Sequence, residues 1–168
     1  MQLARAVLPE SDLRNEQVGR IGEHLVSYYL ESNGINCHSV RTIGSDIWCE
    51  LPDGRIRKCE IKSAPKIHPP KKKYTFYSQK IQRHTAHFFA FAALDLGLVI
   101  FKPSVDVQSR HTTDRLATAI EFSEFTEAAM MHSLNYTLDH LNGKVAQKSF
   151  LHHLTTSDRD PYLDKGSK

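Results

Sequence analysis

Two strand-like runs joined by Pro52-Asp53-Gly54 constrain this chain more than any other feature. Proline presets one backbone angle, aspartate bonds its own backbone, and glycine accepts a positive φ, so the tripeptide is a strong turn signal. The flanking runs, 46–51 and 55–63, both read as strands, and so short a connection makes them antiparallel. The two-residue period of a strand then sorts the second run. Cys59 and Ile61 share one face, while Lys58, Glu60 and Lys62 share the other. Asp46 opens the first run, just across the hairpin from Glu60 and Lys62.

Upstream, Val18, Ile21, Gly22, Leu25 and Tyr29 recur at helical spacing. With Asn15 as N-cap and Gly34 as stop, they predict a helix over 16–32 that carries Glu23. Gly19 and Gly22 each weaken such a helix by roughly 1 kcal/mol relative to alanine. Close packing, or the close approach of another backbone, is the structural reason to keep glycine there. A first strand is expected over 35–41, with a loop over 42–45.

Beyond the hairpin, 64–73 holds three prolines and four lysines and reads as a loop. A short strand follows over 74–77, then one or two polar helical turns over 78–85. The apolar run 87–94 reads as a buried strand. Asp95-Leu96-Gly97 turns it into a partner over 98–102 that Pro103 ends. Residues 114–120 fit either helix or strand. A second helix is expected over 123–141, capped by Ser123, stopped by Gly143, with Phe125, Ala128, Ala129, Leu134 and Leu138 on its apolar face.

The order of elements predicts an α/β fold at the α+β border, with a central mixed sheet flanked by helices. A chain of 168 residues fits one domain with a real core. We place it at 1–150, with a core at 15–103 and a helical addition at 104–144. A polar, flexible tail is expected at 151–168.

A net charge of +3 permits nucleic-acid binding without arguing for it. Cys37, Cys49 and Cys59 are an odd count with no Cys-x-x-Cys pair, so a disulfide framework is not expected and a reducing interior fits. Residues 1–10 have too short an apolar run for a signal peptide. No stretch approaches the ~20 apolar residues of a membrane span. The expected setting is therefore cytoplasmic. Histidines are numerous, but none completes a tetrahedral zinc set at familiar spacing, and nothing marks a cysteine as an activated nucleophile.

Glu23, Asp46 and Glu60, if they converge beside Lys62, supply the parts for holding a hard divalent cation against a phosphodiester. Val18-Gly19-Arg20-Ile21-Gly22-Glu23, Gly44-Ser45-Asp46-Ile47 and Cys59-Glu60-Ile61-Lys62-Ser63 carry a family pattern. Over about 16–103 the chain resembles the PD-(D/E)XK nuclease superfamily. Within it, the short spacing is similar to archaeal-type Holliday junction resolvases and to small intron-encoded homing endonucleases of bacteria. Ser45 stands where that family often has proline.

The resemblance implies a restriction-endonuclease-like core and a Mg²⁺-dependent endodeoxyribonuclease, prokaryotic or phage-encoded. Mn²⁺ is the natural substitute. Asp46, Glu60 and the Ile61 carbonyl would ligate the ion, with Glu23 reaching it through water. Lys62 would orient or activate the attacking water. Lys66, Lys71, Lys72 and Lys73 form a basic loop able to grip phosphates, with Tyr74 and Tyr77 available for stacking. Gln79, Lys80 and Arg83 extend that surface toward DNA.

A homodimer or tetramer would supply two sites for a duplex's two strands, with the helix 123–141 or an exposed sheet edge in the interface. The ordinary reading of a charged strand face or a lysine run is a solvated surface. The competing functions are a non-catalytic nucleic-acid-binding protein on the same fold and a non-nuclease α/β protein. Trp48 reads as a packing residue.

Overall fold

The computed structural model describes residues 14–42, 45–67, 70–79, 85–107 and 115–144. The chain begins with α1 (Asn15–Ser32), β1 (Asn36–Thr42), β2 (Ser45–Glu50) and β3 (Ile56–Ala64). It continues through β4 (Lys73–Gln79), β5 (Phe88–Ala93), β6 (Leu98–Pro103), β7 (Arg115–Glu121) and α2 (Glu127–Leu141). Five strands form a mixed sheet in the order β1-β2-β3-β5-β6, and β4 with β7 forms a separate two-stranded ribbon. Only β3 and β5 run parallel in the large sheet. The fold class is α/β with a central mixed sheet and flanking helices, as the order of elements predicts.

The molecule is layered because β5 must be covered twice. Its six residues, Phe-Phe-Ala-Phe-Ala-Ala, are all buried, the signature of a strand with a core on each face. On one face Phe88, Ala90 and Ala92 pack with Val18, Val26 and Leu30 of α1 and Met130 and Leu134 of α2. On the other, Phe89 and Phe91 meet Tyr74 and Phe76 of β4, Ile120 of β7 and Phe125. Helices, sheet and ribbon are thus three stacked layers.

Gly34 and Gly143 follow the two helices at φ of +77° and +71°, as helix-stopping glycines do. α1 itself starts at Asn15, with Arg14 as its cap, and the Gln17 side chain accepts a bond from the Arg14 N–H at 2.9 Å.

α2 begins later than its sequence suggests. Ser123 lies in a short 3₁₀ turn, and Thr126 is the cap, its Oγ1 accepting from the Ala129 N–H at 3.1 Å. The cause is Phe125, which is buried on the ribbon side with its ring 4.9 Å from that of Tyr74. The backbone must deliver that ring before the helix can turn away. Phe125 therefore sits outside the helix, Ala128 is exposed, and Met130, Leu134 and Thr137 are the buried residues of α2. The C-terminal segment, expected as a helical addition, supplies strand β7 as well, and both parts complete the cores.

Two further expectations are corrected. Trp48 is 37% exposed, and its Nε1–H donates to Ser45 Oγ at 3.3 Å. The ribbon packs over β5 and β6 and leaves Trp48 uncovered. Tyr74 is buried, with its hydroxyl donating to Asp95 Oδ1 at 2.7 Å, so it is a core residue rather than a stacking surface. All three cysteines are free thiols.

Candidate active site

Pairing between β2 and β3 runs from Glu50↔Ile56 to Ile47↔Cys59. Past that point a carboxylate replaces the ladder: the Ile61 N–H donates to Asp46 Oδ2 at 2.7 Å. The N–H and C=O of one extended residue leave the same strand edge, and successive residues alternate. The Lys58 and Ala64 carbonyls accept from His87 and Leu94 on the β5 side. The Ile61 carbonyl therefore faces the other edge, beside Asp46.

Glu60 and Lys62 share a face of β3, as the strand period requires. Lys62 Nζ donates to Glu60 Oε1 at 2.6 Å. Glu60 is only 2% exposed and sits in register with Phe89 of β5. Burial pushes its carboxyl above the usual carboxylate range. The Lys62 charge opposes that shift, and the Asp46 charge adds to it.

Above these groups opens a cavity of about 460 Å³. Asn15, Val18, Gly19 and Glu23 of α1 form one wall, and Thr75, Phe76 and Tyr77 of β4 form another. Asp46, Ile61, Lys62 and Ser63 lie between them. Glu23, Asp46 and Lys62 thus reach one space, and Glu60 joins it through Lys62. Ser63 Oγ is buried with no hydrogen-bond partner among the described residues.

No group of three His, Cys, Asp or Glu side chains stands in metal-binding geometry among the described residues. The oxygens near the break in the ladder are the Asp46 carboxylate, which accepts the Ile61 N–H, the buried Glu60 carboxylate, which the Asp46 charge opposes, and the edge carbonyl of Ile61. That set fits a hard cation, which takes one or two carboxylates and keeps several waters.

The residues considered for phosphate contact separate. Lys66, Lys71 and Lys72 are exposed. Lys73 is engaged with Glu121, its cross-strand partner, at 2.6 Å. Tyr77 is 64% exposed on the cavity wall. Lys80 and Arg83 lie outside the described residues, as does the side chain of Gln79.

Sequence reasoning missed Asn15 and Thr75 as lining residues. The spacing of Asn15, Gly19 and Glu23, four apart on one helix face, was the available signal for the first. None existed for Thr75, whose position depends on where the ribbon lands.

No protein-family model and no curated protein matches the chain. Among solved structures it is similar to a bacterial homing endonuclease, I-Ssp6803I, at 13% sequence identity and a TM-score of 0.56. The match covers 79% of this chain and 99% of that one. The likeness is one of fold. No helix among the described residues is long and apolar enough to cross a membrane.

Proposed function

We propose that this chain is a Mg²⁺-dependent DNA endonuclease of the PD-(D/E)XK kind, acting as a homing-type double-strand cutter or a junction resolvase. The observation that carries the reading is the break in the β2–β3 ladder. There Asp46 takes the Ile61 N–H while the Lys62–Glu60 pair stands on the adjoining strand face. Fold similarity to a homing endonuclease supports the same reading.

Asp46, Glu60 and the Ile61 carbonyl would hold the cation, and Glu23 would support it from α1. When bound, such an ion supplies Lewis-acid charge to a phosphoryl oxygen and lowers the pKa of a water. The rest falls to the chain. Lys62, fixed by Glu60, would orient the attacking water and offset charge on the transition state. The walls of α1 and β4 would position the strand being cut. Lys66, Lys71 and Lys72 would track neighbouring phosphates. A homodimer or tetramer would present two such sites to a duplex.

The test is incubation with Mg²⁺, and separately with EDTA, of supercoiled plasmid, a four-way junction and a random-site library. Cleavage of at least one substrate that needs the metal and disappears in Asp46→Ala is the expected result. DNA binding without cleavage under any metal would leave the non-catalytic binding protein as the better account.

A further inference from the structure

α1 contains two interior glycines whose surroundings are opposite. A Cβ at Gly22 would fall 1.7 Å from Ser63 Oγ and 2.8 Å from Ser63 Cβ. Packing of α1 against β3 therefore demands glycine at that position. A Cβ at Gly19 would meet nothing within 4 Å, and Gly19 is not among the glycines with positive φ. Neither packing nor backbone conformation asks for it. Alanine there would favour the helix, because glycine is the poorest helix former after proline.

The open space beside Gly19 is the cleft. Gly19 lies on the α1 wall between Asn15 and Glu23, in the same cavity as Asp46 and Lys62, with Tyr77 on β4 also lining it. We infer that Gly19 is a positioning residue, left bare so that the sugar-phosphate backbone of a DNA strand can lie against α1 with its scissile phosphate over Asp46 and Lys62. This rests on the endonuclease reading. A side chain at Gly19 would stand where the strand must pass and hold the phosphate away from the reacting groups. A displacement of that kind, near 1 Å, costs about 10²-fold in rate.

Gly19→Ala and Gly19→Leu separate the folding role from the substrate role. Thermal unfolding is measured first, then binding of a labelled duplex in Ca²⁺, then single-turnover cleavage in Mg²⁺. Gly19→Ala is expected to raise the unfolding midpoint by about 2–4 °C and to slow cleavage roughly 10- to 100-fold. Gly19→Leu is expected to slow it further and to weaken duplex binding while remaining folded. Equal binding and cleavage by both variants and the unaltered chain would overturn the inference and leave the endonuclease reading standing. A lowered midpoint in Gly19→Ala would also overturn it, since Gly19 would then serve packing. If the unaltered chain neither binds nor cuts DNA, the endonuclease reading fails and takes this inference with it.

Discussion

The two edges of β3 are built on opposite terms. Toward β5 the parallel ladder is unbroken from Cys59↔Phe88 to Ala64↔Ala93, and every β5 residue is buried. Toward β2 pairing stops at Ile47↔Cys59, and the next outward N–H, that of Ile61, finds a carboxylate. The closed edge spends the backbone's polar groups on one another and makes β3 rigid. The open edge leaves them to side chains, since buried backbone groups require partners from somewhere. Charge therefore gathers where the ladder gives out, on a strand held firm by its other edge. That is the arrangement a precise site needs.

The largest effect should come from emptying the open edge. Asp46→Ala and Lys62→Ala should each lower single-turnover cleavage by roughly 10²–10⁴-fold, the range for a positioned proton-transfer or charge-stabilising group. Asp46→Ala also strips the Ile61 N–H of its acceptor, which should destabilise by about 1–3 kcal/mol. Wild-type cutting by both variants would mean that the broken ladder has nothing to do with catalysis.

The closed edge should respond in stability first. Phe91→Ala removes a ring buried between Phe89 and Phe76, 5.9 and 5.2 Å away between centroids. Denaturant unfolding should show a loss of about 3–5 kcal/mol. A loss below ~1 kcal/mol, the scale of an ordinary surface substitution, would show the closed edge to be far looser than its burial implies.

Glu60 belongs to both edges: its backbone is in the closed ladder and its carboxylate serves the open one. Its carboxyl is raised, by burial first. A raised carboxyl favours the folded state fully below the unfolded value, near 4.5, and that contribution is lost as pH rises through the folded value. Ionised Glu60 is thus a burden on the metal-free fold. In EDTA at neutral pH, Glu60→Gln should be more stable than the unaltered chain, with the gap closing toward pH 4, while cleavage in Mg²⁺ is lost. A less stable Glu60→Gln at pH 7 would make the Lys62 pair, not burial, the dominant effect.

The open edge was more legible in the sequence than the closed one. Its parts are local: a Pro-Asp-Gly turn, a two-residue period, and Asp46 and Glu60 on facing strands. Helix propensity marked Gly19 and Gly22 alike as costly residues with a reason to be there; only the structure separates them, with Ser63 crowding position 22 and open space at position 19. The cover of the closed edge depends on β4 finding β7 across a long stretch of chain, and nothing local to 73–79 or 115–121 encodes that pairing. Tyr74 consequently read as a surface residue, Lys73 as a free phosphate contact, and Ser123 as the cap of a helix that Phe125 delays.

The smallest effect lies at the entrance of the closed edge, where His87 begins the β3–β5 pairing. Its N–H donates to the Lys58 carbonyl at 2.8 Å, and its Nδ1 accepts the Lys58 N–H at 2.9 Å. An acceptor Nδ1 requires that nitrogen to be unprotonated. The ring's pKa is lowered, by burial first and then by the Arg57 and Lys58 charges. A lowered histidine pKa means that the folded state binds fewer protons. The contribution is present above the unfolded value of about 6.5 and is lost as pH falls below it through the folded value. Urea unfolding at intervals from about pH 8 to 5 should therefore show stability declining on the acid side, and His87→Ala should flatten that decline. Because the site lies at the other edge, the same titration should leave duplex binding in Ca²⁺ largely unchanged between the two proteins. An identical acid slope in His87→Ala would remove His87 from the closed edge's account, and a parallel loss of DNA binding would show that the two edges of β3 are not independent.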